Sequence, residues 1–129
     1  MGVIVSLLAE NFVVITHKDN PITSLNKSEI RSIYLKKRRF WDGTKLLVLN
    51  LPPNHMLRQN FEKSILQMSA SDIEMYWLKQ HYKGHRPPYR LESIKSVVLF
   101  IKKVKGAIGY IPESLVDSNV KVIYSGNYE

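Results

Sequence analysis

The stretch Ile30–Gly43, IRSIYLKKRRFWDG, decides the fold, and the rest of the chain is organised around it. It starts on the apolar side of a predicted helix, where Ile30, Ile33 and Tyr34 recur at helical spacing. Four consecutive cations then leave the helix: Lys36, Lys37, Arg38 and Arg39. Two aromatic residues and an Asp-Gly turn complete the stretch. The segment therefore predicts a helix that runs into a basic and aromatic loop.

Strands are predicted on both sides of this stretch. Phe12–His17 is rich in β-branched residues and stops at a turn, which is typical of a buried strand. Short apolar runs predict three more strands, at Leu46–Asn50, Ala107–Ile111 and Val120–Tyr124. A run that extends beyond Asn50 is excluded, because two prolines follow and would remove two donors from the sheet.

Helices are predicted between the strands. Asn26 and Glu29 have the spacing of a capping box, so the first helix is expected from Lys27 to Leu35. The other predicted helices are roughly His55–Gln67 with Asn54 as N-cap, one opened by Ser71 and Glu74, and Ser93–Val104. Because strands and helices alternate, the chain is expected to form an α/β domain with helices packed on a mixed sheet.

Composition limits the function classes. A chain of 129 residues suits one domain, and 19 Lys and Arg against 11 Asp and Glu give a net charge of +8. A basic surface favours anionic partners such as phosphate, nucleic acid or acidic lipid head groups. The absence of cysteine excludes disulfides, thiol catalysis and thiolate metal sites. The sequence has no apolar run of the roughly 18 residues that a membrane span needs.

No catalytic, metal or cofactor site is expected. His81 and His85 are four residues apart, but Gly84 indicates that the helix has ended between them, and no carboxylate nearby supplies a third ligand. The sequence carries no nucleophile elbow and no P-loop. We therefore expect a protein that is not an enzyme.

The first ten residues, MGVIVSLLAE, leave two interpretations open. They resemble the back half of an export signal without its basic segment, and they also suit an N-terminal strand. The α/β domain is accordingly expected to occupy residues 11–129.

The order and spacing of the motifs from Phe12 to Pro112 resemble the phosphate ABC-transporter substrate-binding family, and more specifically its short, single-lobe members (periplasmic-binding-protein-like, type 2). The segments that carry the resemblance are VVITHKDNP, SLNKSEIRSIYLKKRRFWDGTKLLVLN, LRQNFEKSIL, KGHRPP and KGAIGYI. The resemblance implies a single periplasmic-binding-protein-like α/β lobe, with a mixed sheet flanked by helices.

The resemblance also implies a function. Full-length members close two lobes on a phosphate, so one lobe provides half of a binding cleft. We expect a non-catalytic module that binds phosphate or another oxyanion in the periplasm or cell envelope. A homodimer, or a transporter or sensor protein as partner, would complete the cleft.

Four residues are expected to bind the ligand: Asn50, Asn54, His55 and Arg58. In the family, an anion loop after the strand that corresponds to Leu46–Asn50 carries an Arg and a Ser-Gly-Thr at a helix N-terminus, where backbone N–H groups face the anion. Here Asn50 stands in the place of the Arg, and the Ser-Gly-Thr is absent. The alternative is that Asn54 only caps the helix while Arg58 is solvated.

Two other functions stay open. The basic stretch Lys36–Arg39 with Phe40 and Trp41 could bind nucleic acid or an acidic partner. Nucleic acid is the less favoured ligand because no fold signature accompanies the stretch, and we expect Trp41 to pack on the lobe while the cations stay solvated. The third interpretation is a sensory or regulatory lobe that has lost ligand binding, since the Ser-Gly-Thr is missing.

Overall fold

The computed structural model describes residues 11–126, so both interpretations of residues 1–10 lie outside the described part of the chain. The strands are β1 (Phe12–His17), β2 (Phe40–Trp41), β3 (Thr44–Lys45), β4 (Leu47–Asn50), β5 (Tyr89–Arg90), β6 (Ala107–Pro112) and β7 (Val120–Gly126). The helices are α1 (Lys27–Tyr34), α2 (Met56–Phe61), α3 (Ala70–Tyr82) and α4 (Ile94–Lys103). All four strands expected from the sequence are present, with ends that differ by one or two residues.

Five of the strands form a mixed sheet in the order β5-β4-β6-β1-β7. β4 runs parallel to both β5 and β6, whereas β1 runs antiparallel to β6 and β7. Helix α3 lies between β4 and β5 in the chain, and α4 lies between β5 and β6, which is the crossover that parallel strands require. The prediction of a mixed sheet flanked by helices is confirmed.

An aromatic cluster joins the first two helices to the sheet. The ring of Phe61 stacks on Tyr110 of β6 with centroids 4.0 Å apart, and it lies 4.7 Å from the ring of Tyr34. Phe12 meets Phe61 edge-on at 5.4 Å. All four side chains are buried, so this cluster fixes where the end of α2 sits relative to β4 and β6.

Helix α1 begins where its sequence predicts and ends at Tyr34, one residue before the expected end. The Asn26 side chain accepts a hydrogen bond from the backbone N–H of Glu29 at 2.8 Å, and the Glu29 carboxylate accepts one from the backbone N–H of Asn26 at 2.9 Å. Beyond the helix, Lys36 adopts a left-handed backbone with φ of 62°. Asp42 and Gly43 then turn the chain between β2 and β3 with φ of 46° and 80°, as a tight hairpin requires.

The expectation for the four cations is right in part. Trp41 packs partly buried against the core, and the guanidinium carbon of Arg38 lies 3.7 Å from the centre of its ring. Lys37, Arg38 and Arg39 are exposed. Lys36 is half-buried, so the prediction that all four cations are solvated is wrong for this residue.

Two predicted N-caps are wrong. His55, not Asn54, caps α2, because its Nδ1 accepts a hydrogen bond from the backbone N–H of Leu57 at 3.1 Å. Ser69, not Ser71, caps α3, since its hydroxyl accepts from the backbone N–H of Asp72 at 3.1 Å. The helix predicted over residues 55–67 is also divided: α2 is followed by a π-helical turn, Glu62–Leu66.

Strand β5 was not predicted. Its two residues directly follow Pro87 and Pro88, and they pair in parallel with β4. Leu91 extends this contact, because its backbone N–H donates to the carbonyl oxygen of Asn50 at 2.9 Å. Within residues 11–126, no helix is long and apolar enough to cross a membrane.

Candidate functional site

The candidate site lies where the parallel strands β4 and β5 end. Asn50 is the last residue of β4 and is the register partner of Arg90, the last residue of β5. In open α/β sheets, ligands bind in the crevice outside the carboxyl ends of parallel strands, where the loops diverge. The topology therefore directs attention to this edge of the sheet.

A cavity of about 300 Å³ opens at this edge. Its wall is formed by Asn50, Pro53, Arg58, Trp77, Pro87, Pro88 and Arg90. The wall combines two guanidinium groups, one amide and one indole with apolar proline rings. Such a set offers hydrogen-bond donors and positive charge to a small anion.

The side chain of Asn50 is held in one orientation. Its Oδ1 accepts a hydrogen bond from the backbone N–H of Leu51 at 2.9 Å and another from the hydroxyl of Tyr110. Burial raises the pKa of Tyr110, which outweighs the opposing effect of Arg58, so the hydroxyl stays a donor at neutral pH. Within residues 11–126 the Asn50 Nδ2 donates to no other residue, so its N–H groups are available as donors.

Arg58 is also held, by two partners. Its Nε donates to the Glu62 carboxylate at 2.9 Å, and its Nη1 donates to the carbonyl oxygen of Leu51 at 2.7 Å. Only 15% of its side chain is exposed, so the alternative of a solvated Arg58 is wrong. These two bonds use two of the N–H groups of the guanidinium, and the others bond to no residue in the described chain.

Sequence reasoning missed the two other hydrogen-bonding side chains of this cavity, those of Trp77 and Arg90. Arg90 is 56% exposed along its side chain, and its Nε lies 3.6 Å from the Glu92 carboxylate. Trp77 is half-buried, and its indole N–H has no hydrogen-bond partner among residues 11–126. Trp77 was expected to lie in a helix but was not predicted as a site residue. Arg90 was missed because only the pairing of β5 with β4 brings it beside Asn50.

The structure divides the four expected ligand residues. Asn50 and Arg58 line the cavity together, whereas Asn54 and His55 do not. Asn54 is exposed in the turn before α2, and His55 uses its Nδ1 to cap the helix. Pro53 lines the wall and directly precedes these two residues, so both lie next to the cavity in the chain.

The basic stretch lies at a different place. A surface depression of about 660 Å³ is lined by Leu35, Lys36, Lys37, Arg39, Phe40, Tyr76, Gln80 and His85. A neighbouring cavity of about 190 Å³ is lined by Lys36, Arg39, Lys45, Gly84, His85 and Arg86. Neither shares a lining residue with the cavity at Asn50. Across residues 11–126, no three His, Asp or Glu side chains cluster in a way that could hold a metal ion.

No protein-family model and no curated protein matches the chain. Solved structures do match it. A protein assigned as a phosphate ABC transporter substrate-binding protein from Clostridium perfringens, solved with bound phosphate, superposes with a TM-score of 0.73 and 21% identity over 90% of this chain and 45% of that one. An ABC-type phosphate transport receptor from Vibrio cholerae gives a TM-score of 0.72 and 18% identity over 90% and 46%.

A third structure, PstS from Borrelia burgdorferi, gives a TM-score of 0.69 and 11% identity over 90% of this chain and 48% of that one. The chain thus spans about half the length of the proteins that it superposes on. The resemblance expected from the motifs is confirmed at the level of the fold. Over nine-tenths of its length, the chain has the fold of the substrate-binding proteins of phosphate ABC transporters.

Proposed function

We propose that this chain is a non-catalytic module that binds an oxyanion of the phosphate class in the cavity at the ends of β4 and β5. The observation that carries the proposal is the convergence of Asn50, Arg58 and Arg90 on one cavity wall. The fold shared with phosphate-binding proteins supports the same ligand class. Asn54 and His55 stay in the proposal as residues of the rim, because they follow Pro53 directly.

The charges around the cavity predict weak binding. Glu62 pairs with Arg58 at 2.9 Å, and Glu92 lies 3.6 Å from Arg90, so each cation has a carboxylate nearby. These carboxylates orient the guanidinium groups but reduce their net attraction for an anion. We expect a dissociation constant of about 1 mM, equivalent to a binding free energy of about −4 kcal/mol.

A second surface has to close the cavity for tight binding. Binding sites bury most of a ligand's surface, and a cavity formed by one lobe leaves the ligand open to water on one side. We propose that a partner completes the cleft in the periplasm or cell envelope: a second copy of the chain, a transporter protein or a sensor protein. The net charge of +8 opposes the association of two copies, and an anion between them would reduce the repulsion.

Two measurements test this proposal. The melting temperature should rise with millimolar phosphate and not with the same concentration of chloride at matched ionic strength, because only a ligand of the folded state stabilises it. Light scattering with and without phosphate shows whether a second copy is the partner. No change in melting temperature across phosphate, sulfate and arsenate would contradict oxyanion binding and would favour a regulatory lobe that has lost its ligand.

A further inference from the structure

A second cationic cavity lies at the other side of the 84–88 loop. This cavity has a volume of about 190 Å³, and four cations line its wall: Lys36, Arg39, Lys45 and Arg86. Its remaining lining residues are Gly84 and His85. Neither this wall nor that of the cavity at Asn50 contains a carboxylate, but there Arg58 and Arg90 each pair with a glutamate outside the wall.

These cations lack partners of opposite charge. Within residues 11–126, none of the four forms a salt bridge. Burial lowers the pKa of Lys36, and the nearby charges of Arg39 and Lys45 lower it further, so these two cations lie close enough to Lys36 to repel it. Like charges that face one cavity destabilise the free protein, and an anion that enters the cavity relieves the repulsion.

Backbone hydrogen bonds bring the segments that carry Lys36, Arg39 and Lys45 together. Lys36 follows α1 with a left-handed φ of 62°, and its N–H donates to the carbonyl oxygen of Ile33 at 3.0 Å. The Arg39 carbonyl oxygen accepts from the backbone N–H of Leu46 at 2.9 Å, which closes the β2–β3 hairpin and brings Arg39 near Lys45. A positive φ at a lysine costs about 1 kcal/mol, and it persists here because the surrounding structure fixes it.

The 84–88 loop supplies the other side of the cavity. His85 is fixed by Gln80, because its Nδ1 lies 2.7 Å from the Gln80 Oε1 and its backbone N–H donates to the Gln80 carbonyl oxygen at 2.9 Å. Arg86 is the next residue, so its position follows from this anchor. The cation cluster is therefore assembled from three separate segments of the chain.

From this arrangement we infer a second anion-binding site, which takes a linear chain of phosphate groups carrying several negative charges. A multiply charged ligand is favoured because four unpaired cations need more charge than one monoanion supplies. The cavity shares Lys36, Arg39 and His85 with the wider depression of about 660 Å³, which leaves room for a ligand that extends beyond its phosphates. Inorganic polyphosphate and the triphosphate of a nucleotide both have this chemistry.

Calorimetric titration of the whole chain with tripolyphosphate tests the inference. Binding should weaken about tenfold in Arg39→Gln and in Arg86→Gln, because each removes a charged donor. Arg38→Gln is the matched control: Arg38 belongs to the same run of cations but lies over the Trp41 ring and lines neither cavity. Its affinity should stay within about twofold of the unchanged chain.

Lys36→Gln separates binding from folding. It removes a repelled charge, so without ligand its melting temperature should equal or exceed that of the unchanged chain. The rise in melting temperature with tripolyphosphate should nevertheless shrink. ATP measured in parallel identifies the source of the phosphates: an affinity equal to that of tripolyphosphate assigns recognition to the phosphates alone, and a tighter one assigns the wider depression to the nucleoside.

The inference is independent of the proposed function, because the two cavities share no lining residue. Absence of tripolyphosphate binding at low salt would overturn the second site, as would an equal loss in Arg38→Gln and Arg39→Gln. Neither result would bear on phosphate binding at Asn50.

Discussion

The hydroxyl of Tyr110 donates a hydrogen bond to Oδ1 of Asn50, a residue 60 positions earlier in the chain. This bond links the centre of the sheet to the proposed site, since Tyr110 lies in β6 and stacks on Phe61. It also leaves Nδ2 as the only polar atom of the amide that can serve a ligand. The core thereby sets the orientation of the amide that we propose binds the ligand.

Tyr110→Phe should remove the hydrogen bond to Asn50 while the aromatic ring still fills its place in the core. The phenyl ring keeps the stacking on Phe61, but Asn50 Oδ1 loses one of its two donors. We expect the free energy of unfolding to fall by about 1 kcal/mol, the usual contribution of a hydrogen bond between neutral groups. Urea unfolding measures the loss, and a change within experimental error would show that the hydroxyl does not hold Asn50. Phosphate affinity should fall as well, because Nδ2 is no longer fixed.

The Arg58–Glu62 pair should be measurable as an energetic coupling. The two side chains are 15% and 14% exposed, so the pair is screened less than a surface salt bridge. A double-mutant cycle of Arg58→Gln and Glu62→Gln is expected to give a coupling of about 1 kcal/mol. Because Arg58 also donates to the Leu51 carbonyl oxygen, Arg58→Gln should destabilise the chain more than Glu62→Gln does. Equal effects would argue against this second contact.

Stability should decrease at alkaline pH. Burial raises the pKa of Tyr34 and of Tyr110 in the folded chain above their ordinary value of 10.0. Above about pH 10 the unfolded chain therefore releases protons that the folded chain retains, and the free energy of unfolding falls as pH rises. Above pH 10, each tyrosine makes the unfolding free energy fall by about 1.4 kcal/mol per pH unit. Below pH 10, the stabilisation that each tyrosine provides is fully present.

Tyr110→Phe serves as the control for this pH dependence. It removes the titration of Tyr110, one of the tyrosines whose pKa is raised, so the unfolding free energy should fall less steeply between pH 10 and 11. Urea unfolding at a series of pH values gives this slope. An unchanged slope in the variant would contradict the assignment to Tyr110.

Gly106→Ala should destabilise the junction between the β2–β3 hairpin and β6. A Cβ atom at this position would lie 2.0 Å from the Lys45 carbonyl oxygen, which belongs to the backbone and cannot rotate away. We expect a loss of about 3 kcal/mol or more. Gly43→Ala provides the comparison: it has a φ of 80° but no atom within 4 Å, so it should cost only about 1 kcal/mol. A reversed order of the two effects would contradict the close packing at Gly106.

Local sequence patterns predicted the frame of the fold. Phe12–His17 is rich in β-branched residues, and this composition alone identifies the strand. The Asn26 and Glu29 capping box is a contact between residues three apart, and both of its hydrogen bonds are present. Such features depend on neighbouring residues and need no knowledge of the tertiary structure.

Local sequence patterns predicted only part of the candidate site. Asn50 was placed correctly at the end of β4, but its burial and its bond to Tyr110 depend on a partner 60 residues away. Arg90 was missed because a two-residue strand after two prolines carries almost no periodicity. Asn54 was predicted as the N-cap because asparagine is one of the usual N-cap residues. The backbone instead places His55 where its side chain reaches the free N–H groups of α2.

The central claim, that phosphate binds between Asn50 and Arg58, is tested most directly by NMR titration of the side-chain N–H groups. Addition of phosphate should shift the signals of Asn50 Nδ2, Arg58 Nε and Trp77 Nε1 along one saturating curve, with a dissociation constant of about 1 mM. Asn50→Asp keeps an acceptor for Leu51 and Tyr110 but replaces the free donor by a charged oxygen, and it should abolish the shifts of the other two signals. Shifts that persist unchanged in Asn50→Asp, or that appear only at Arg39 and Arg86, would contradict the account.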